Sequence, residues 1–592
     1  MHDASDLLAR WPALEVPAKR ARLRNTLRLF SGPLARTLDA HAPEAESAVA
    51  GLWQRDPSVW SGGAATQQKI AHRLGWLSSP ALMADSLGRL QKFASSVKVD
   101  GFTDVVLLGM GGSSLAPEVL RAVFGAAPGW PRLHVLDSTD PSAVRAAATA
   151  PARTLYILSS KSGTTIEPNV LAVHFRRTLE EAGVRPPAGH FVAITDEGTD
   201  LARRARTEGF RDVFINPADI GGRYSALSFF GLVPAALMGL DIASLVGWGL
   251  AMLSDSESGD EKPATSPSAA LGLAIAGAAL AGRDKLTLVL PAALEPFGLW
   301  VEQLIAESTG KDGTGVVPIA GERLAEPSTY GSDRFFVRVR LHGSYADTMR
   351  DADIGELKAA DLPIAEIELA EPAALGAEFV RWEVATAVVG ALLHINPFDE
   401  PNVQQAKDAT RTLLDHYKSQ GRLPIPSPDR TTADGVTLTL STAARGELGG
   451  QSAEALLTLI RPGDYFALLA YVGPDQELAD ELHAFRLGVR ERTHAATLFG
   501  YGPRYLHSTG QLHKGGPNTG VFVLLSATPH GDLAIPGEVF SFGTLELAQA
   551  LGDFASLDAT GRRAVHVHLP APDRHFIRKV AHELLLRLRS SD

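Results

Sequence analysis

Five hydroxyl side chains, a glycine and a lysine stand together in the run Ser159, Ser160, Lys161, Ser162, Gly163, Thr164 and Thr165. They lie between the apolar residues LYIL and a helical pattern that begins IEPN. Neutral donors with one positive charge, gathered where a helix starts, can surround a phosphate. The nucleotide-binding pattern G-x-x-x-x-G-K-[ST] does not occur in this loop, which leaves a phosphorylated small metabolite as the economical ligand. An ordinary Ser/Thr-rich cap would draw on the same residue types, but a hydroxyl density this high favours phosphate.

Other segments carry groups that could act on such a ligand. In LWVEQLIAESTGKDG a helical pattern ends at Gly310, and Gln303 and Glu307, four apart, share one face near its C-terminus. The helix dipole and partial burial raise a carboxyl pKa there, while Lys311 lowers it. A carboxylate tuned upward suits a general base near neutral pH, although a Glu in a last turn is usually a solvated surface residue. In DIGGRYSALSFFG, Gly221, Gly222 and Arg223 enter a long apolar stretch. A guanidinium at the mouth of a buried helix needs an anion or a polar cleft. Arg223 could neutralise an oxyanion that develops in a reaction, or make a structural salt bridge.

In LLGMGGSSLAPEVL, a strand-like run meets Gly109, Gly111, Gly112, Ser113 and Ser114. Such a loop lets a ligand approach the backbone beside a helix N-terminus, and a tight turn with a Ser cap would look the same. The helix after INPFDEPN carries Gln404 and Lys407 on one face; a lone Lys on a helix is ordinarily solvent-exposed. Late in the chain, GPRYLHSTGQLHKGGPNTG holds Arg504, His507, Gln511, His513 and Lys514. Two His six residues apart, without an H-E-x-x-H pattern, favour a polar site or an interface over a metal.

The elements that must position these groups are legible as alternation. From residue 103 onward, short apolar runs alternate with helical patterns, as in parallel-sheet α/β proteins. The candidate strands are Asp104–Leu108, Leu155–Ser159, Phe191–Thr195, Leu286–Leu290, Phe335–Leu341, Ile364–Leu369, Tyr465–Val472, Val521–Ser526 and Ala564–Leu569. These are too many for one sheet of ordinary size. A polar run, Ser254–Ser268, reads as a surface connection, and a Pro/Gly/Ser-rich break spans Gln420–Gly435. The expected division is an N-terminal helical segment to about residue 75, α/β units at 76–265 and 266–425, and a C-terminal α/β unit at 426–592. The first two units can be read as distant copies of one plan.

Composition narrows the function. The 592 residues hold 56 Lys+Arg against 67 Asp+Glu, a formal charge of −11, with no long basic cluster, so nucleic acid is not expected as a partner. With no cysteine, disulfides, thiolate metal sites and thiol nucleophiles are excluded. The N-terminal run MHDASDLLARWPALEVPAKRAR has charges where a signal peptide needs an apolar centre, so a cytoplasmic protein is expected. The most apolar stretches, Ser225–Leu253 and Ala269–Ala281, are interrupted or too short to span a membrane and read as buried core helices.

Taken in order, these segments resemble the phosphoglucose isomerase family. GMGGSSLAP, SSKSGTTIEPN, GGRYSALSFFG, QLIAESTGK and NPFDEPNVQQAK are similar to five of its motifs, in sequence, over residues 105–410. LWQRDPSVW…RLGWL and GPRYLHSTGQLHKGG are more closely similar to the isomerase portion of bifunctional transaldolase/phosphoglucose isomerase proteins, without a recognisable transaldolase half. The resemblance implies two sugar-isomerase (SIS) type three-layer αβα domains with parallel sheets, here with an extra C-terminal α/β unit. It implies aldose–ketose isomerisation of glucose 6-phosphate and fructose 6-phosphate, a step of glycolysis and gluconeogenesis, with no metal or organic cofactor.

By the same resemblance, Ser160, Lys161, Ser162, Thr164 and Thr165 contact the phosphate, and Gly112, Ser113, Gly222 and Gln303 line the sugar pocket. Glu307 is the base that moves the C2 proton to C1 through a cis-enediol(ate). Arg223 stabilises the charge on that intermediate, and Lys407 assists ring opening. A homodimer is the expected assembly.

Two departures stand out. The family's ring-opening His is missing after the base segment, where GERLAEPSTYGSDRFFV offers Asp333 instead. His507, in LHSTGQ, is expected to supply that function, with a dimer interface as one route into the site. Glu400 stands where a Gln is common in the family. Two competing readings are a sugar-phosphate sensor without turnover and an isomerase of another sugar phosphate, such as mannose 6-phosphate. Glu307, Arg223 and Lys407 together favour the enzyme, since a sensor needs only the phosphate loop.

Overall fold

The computed structural model describes residues 10–147, 150–257, 266–344 and 350–588. Its strands are β1 (Leu27–Phe30), β2 (Asp104–Leu108), β3 (Arg132–Leu136), β4 (Thr154–Ser159), β5 (Phe191–Asp196), β6 (Asp212–Asn216), β7 (Lys285–Val289) and β8 (Val317–Ile319). They continue with β9 (Arg334–Leu341), β10 (Ile364–Leu369), β11 (Arg430–Thr431), β12 (Thr437–Leu440), β13 (Tyr465–Tyr471), β14 (Ala496–Tyr501), β15 (Gly520–Ala527) and β16 (Arg563–Leu569).

The strands form three sheets. The first runs β3-β2-β4-β5-β6 and is parallel throughout. The second runs β8-β7-β9-β10-β1; β7 to β10 are parallel and β1 closes the edge antiparallel. The third runs β14-β13-β15-β16-β12-β11, with β13 to β16 parallel and the other two antiparallel. Counted within each parallel run, all three orders begin second, first, third, fourth. The C-terminal unit therefore repeats the plan of the other two. This order reverses between the first and third strands, where a crevice opens at the carboxyl ends.

Pleating assigns alternate residues of the buried strands to two cores. Val105, Leu107, Leu155 and Ile157 of the first sheet share a core with Leu286, Leu288, Phe335 and Val337 of the second, filled by residues of the helices Phe229–Leu237, Ile242–Glu257, Pro267–Leu280 and Leu375–Leu392. Val106, Leu108, Tyr156 and Leu158 point the other way and pack with Leu414, Phe542, Leu545 and Ala548. Fully burying each of these large side chains is worth about 1.5–3 kcal/mol. A further core joins Tyr465, Leu469, Leu498 and Phe522 of the third sheet to Ala306, Val317 and Ile319. The C-terminal unit is thus packed against both other units.

The N-terminal segment is helical at Val16–Leu23, Ala35–Trp53 and Ala64–Ala71, but Leu27–Phe30 departs from the expectation and joins the second sheet as β1. An edge strand needs only one neighbour, so the short run LRLF suffices. The polar connection also differs in part. Ser254 and Ser256 are buried in the helix Ile242–Glu257, and Ser266 caps the next helix by accepting the Ala269 N–H. The middle of the run, 258–265, lies outside the described residues. The two apolar stretches are buried helices as expected, and no helix among the described residues is long and apolar enough to cross a membrane.

Candidate active site

The hydroxyl loop follows β4 at its carboxyl end. Ser160 braces it: its Oγ accepts the Gly163 N–H at 3.1 Å and donates to Thr165 Oγ1 at 3.2 Å. Asn169 Nδ2 donates to Gly163 O and Thr165 O, tying the loop to the helix Ile166–Glu181. Gly163 has φ of +71°, a conformation costly for residues with a Cβ. Ser162, Thr164 and Thr165 line a cavity of about 400 Å³ together with Glu167, Lys407, His507 and Gln549. Lys161 does not line it. Its ammonium is bonded to Asp196 and to Ala218 O, so the lysine anchors the loop rather than supplying the expected side-chain charge.

The glycine loop follows β2. A Cβ on Gly112 would stand 2.0 Å from Gly222 O, so the close approach of the two loops requires that Gly112 have no side chain. Gly111 has φ of +54°, and a Cβ there would stand 2.7 Å from His507 O. Ser113 is held through its carbonyl, which accepts from Ser159 Oγ at 3.1 Å.

The helix Phe297–Thr309 brings Gln303 and Glu307 onto one face, as their spacing predicts. Gln303 Nε2 donates to Glu307 Oε2 at 3.2 Å and to His507 O at 2.7 Å. Gln303 Oε1 is buried with no hydrogen-bond partner among the described residues. Arg223, 3% exposed, lies with Nη1 3.7 Å from Glu307 Oε2. The same Nη1 donates to Glu400 Oε2 at 3.0 Å, and the rest of the guanidinium donates to Ser308 Oγ, Pro397 O and Asp399 O at 2.8–2.9 Å. The salt bridge considered for Arg223 is thus present, as a buried network that also sets the guanidinium beside Glu307.

The surroundings of Glu307 favour its protonated form more than water does. Burial pushes its carboxyl up to about 7, against the lowering pull of Arg223; Glu400 pushes the same way as burial, and Lys311 and Lys407 oppose it. Lys311, bonded to Asn396 O and Asp399, is itself lowered to about 8, chiefly by burial and then by Arg223.

His507 reaches the site within the same chain. The segment that carries it is fastened at several points: Arg504 Nε and Nη2 donate to Asp137 at 2.7 and 2.8 Å, and Gln511 Nε2 donates to Gly310 O at 2.9 Å. Lys514 Nζ lies 2.5 Å from Asp553 Oδ1, both fully buried, and Tyr505 also donates to Asp553. His513 meets Tyr465 rather than His507. The segment is therefore an interface between units, as expected, and the dimer route for His507 is replaced by an intrachain one. The cause is the C-terminal unit's packing on the first sheet. Asp333 does not stand in for the missing His: it is buried just before β9 and faces Lys285 at 3.7 Å.

His507 Nε2 is 3.3 Å from Glu167 Oε1. Burial pushes the Glu167 carboxyl up, but the His507 hydrogen bond and the charges of His507 and Lys407 outweigh it and hold the group below its usual range. Glu167 lies within SSKSGTTIEPN, and its place in the first helical turn after the hydroxyl loop is the one local signal for it. Gln549, from the helix Phe542–Ala559, had no signal at all. Among the described residues, no group of three or more His, Cys, Asp or Glu is placed to hold a metal.

The site thus joins a hydroxyl-lined cavity, a carboxylate raised to about 7, a cation 3.7 Å from it and a His–Glu pair. A family model described as phosphoglucose isomerase matches residues 91–326. The chain is 30% identical over 434 residues to a glucose-6-phosphate isomerase of Rubrobacter xylanophilus, covering 65% of this chain and 96% of that protein. It is 31% identical over 349 residues to a probable glucose-6-phosphate isomerase of Haloarcula marismortui, covering 52% and 78%. Among solved structures, a hypothetical protein from Thermus thermophilus superposes with a TM-score of 0.55 at 25% identity, over 65% of this chain and 99% of that one.

Proposed function

The chain belongs to the phosphoglucose isomerase family, and from that membership we propose how its residues divide the work of the reaction. The enzyme interconverts glucose 6-phosphate and fructose 6-phosphate, an aldose–ketose isomerisation of glycolysis and gluconeogenesis. The observation that carries the assignment of roles is the Glu307–Arg223 pair: a base near neutral pKa with a buried cation 3.7 Å away.

Ser162, Thr164 and Thr165 hold the phosphate, with Ser160 and Lys161 keeping the loop in shape. Anchoring that end fixes the sugar relative to the base. The sugar lies against Gly112, Ser113 and Gly222, and the unpartnered Gln303 Oε1 accepts from a hydroxyl. Ring opening comes first: the O1 proton leaves, the C1–O5 bond breaks, and O5 gains a proton, with His507 and Lys407 as the groups that exchange those protons. The Glu307 carboxylate then takes the C2 proton. The released electron pair forms the C1–C2 double bond of a cis-enediolate, and its charge falls on O1 beside Arg223. The O2 proton passes to O1, and Glu307 returns its proton to C1, leaving the ketone at C2.

The same proposal treats 76–265 and 266–425 as the two sugar-isomerase domains, after an N-terminal segment, and 426–592 as the unit that completes the site. It includes a cytoplasmic setting and a homodimer in solution, with each chain using its own His507. Light scattering read beside specific activity on dilution tests the assembly. The roles are tested by a glucose-6-phosphate dehydrogenase coupled assay with fructose 6-phosphate as substrate. Glu307→Gln is expected to lower kcat by at least about 10²–10⁴-fold. A variant within tenfold of the parent would remove Glu307 from the base's role.

A further inference from the structure

Glu167 is buried, and one of its oxygens serves two donors. His507 Nε2 stands 3.3 Å from Oε1, and Gln549 Nε2 stands 2.7 Å from the same atom. Gln549 is in turn held by Thr139, whose hydroxyl donates to Gln549 Oε1 at 2.8 Å. Thr139 and Gln549 are both buried. The chain Thr139, Gln549, Glu167, His507 runs from the loop after β3, through a helix of the C-terminal unit, to the first turn after the phosphate loop, and ends on an imidazole that lines the cavity.

The donors and acceptors in this chain fix one another. Glu167, held below its usual range, is ionised at neutral pH and can only accept. The Gln549 amide must therefore turn its NH₂ toward Glu167 and its oxygen toward the Thr139 hydroxyl. His507 must likewise present an N–H to Glu167 from Nε2. In the neutral ring the remaining lone pair is then on Nδ1. Among the described residues no hydrogen bond falls on Nδ1, and the ring borders the cavity.

We propose that Gln549, oriented by Thr139, is a positioning residue for ring opening: it holds the Glu167 carboxylate in the place that fixes the His507 tautomer and aims Nδ1 at the sugar. This rests on the reading of His507 as the ring-opening group. It also gives the C-terminal unit a role, since both His507 and the residue that steadies its partner come from that unit. Without the Gln549 amide, the carboxylate loses one of two side-chain donors on Oε1, and the imidazole's partner is held less firmly.

Ring opening can be observed apart from isomerisation, because opening and reclosure interconvert the α and β anomers of glucose 6-phosphate without touching C2. Exchange NMR on the full-length protein reads that rate. Binding of 6-phosphogluconate, an open-chain sugar acid phosphate, reads the phosphate loop and the Arg223 region without any ring to open. Gln549→Met, which keeps the volume and removes the amide, is expected to slow anomer exchange between about 10- and 100-fold while leaving the 6-phosphogluconate Kd within about twofold. Thr139→Val is expected to follow it, and Thr139→Ser, which keeps the hydroxyl, to restore the parent rate. Unchanged anomer exchange in Gln549→Met would overturn the inference, as would a rate and a Kd that worsen in parallel in both Gln549→Met and Thr139→Val. His507→Ala separates this inference from the reading beneath it. If that variant exchanges anomers like the parent, the role of His507 itself is wrong; if it is slow and Gln549→Met is not, only the role of Gln549 fails.

Discussion

Glu400, the carboxylate that replaces a more usual Gln, makes a sharp prediction about pH. It shares Arg223 Nη1 with Glu307, at 3.0 Å and 3.7 Å respectively, and its charge helps to push the Glu307 carboxyl up to about 7. Two unit charges about 6 Å apart repel by roughly 0.7 kcal/mol at the dielectric constant of water and about 2.8 kcal/mol at an effective value of 20. The Glu400 side chain is 43% exposed, which places the interaction toward the weaker end. At about 1.4 kcal/mol per pH unit, Glu400→Gln should lower the Glu307 pKa by about half to one unit. Arg223, released from one of its two carboxylates, acts in the same direction. The acid limb of the kcat/KM profile, which reports the free base, is expected to move to lower pH by that amount, while the plateau falls modestly because the base is weaker. The assay is initial-rate isomerisation of fructose 6-phosphate from pH 5.5 to 9 with coupling enzyme in excess. Added salt should shrink the shift. An acid limb that stays in place, or moves upward, would refute the electrostatic account of Glu307.

Other outcomes can be checked independently. Gly111→Ala forces a left-handed residue at a cost of about 1–2 kcal/mol and drives a Cβ to within 2.7 Å of His507 O. Turnover of glucose 6-phosphate should fall by roughly 10²-fold, while inorganic phosphate still competes as in the parent, measured by inhibition kinetics. Lys514→Met leaves Asp553 buried without its cation and should destabilise the fold by about 3–5 kcal/mol in urea unfolding. Glu302, whose carboxyl burial pushes up to about 7, is better tolerated protonated. Its stabilising contribution is complete below pH 4.5 and is lost as pH rises through 7. Glu302→Gln should therefore match the parent's Tm near pH 5 and exceed it by roughly 2–4 °C at pH 8.

The strands named from sequence and those passed over differ in one physical respect. β2, β4, β5, β7, β9, β10, β13, β15 and β16 lie inside their sheets with both faces largely buried, so each carries enough apolar residues to read as a strand, although Arg, Glu or His interrupts β9, β10 and β16. The strands passed over include the edges of all three sheets: β3 and β6, β1 and β8, β11 and β14. An edge has one neighbour and a partly wet face, so RLHVL or LRLF carries little signal. β12, next to an edge and antiparallel, is the exception among interior strands.

The site divides along the same line. The hydroxyl loop, the glycine loop, the Gln303–Glu307 pair and the entry of Arg223 are each local, made by residues adjacent in sequence or one helical turn apart, and the chemistry each could offer is legible from residue type and spacing. What sequence could not determine is which of them meet. Arg223 and Glu307 are 84 residues apart and become partners only because the segment after β6 packs against the last turn of the helix Phe297–Thr309. Lys161, by type the natural phosphate ligand, is diverted by Asp196, a residue on the neighbouring strand β5. His507 and Glu167 are separated by 340 residues, and Gln549 and Glu167 by 382. Those contacts depend on the C-terminal unit docking against the first sheet, and docking is decided by the shape and apolar faces of whole layers, which no short motif records.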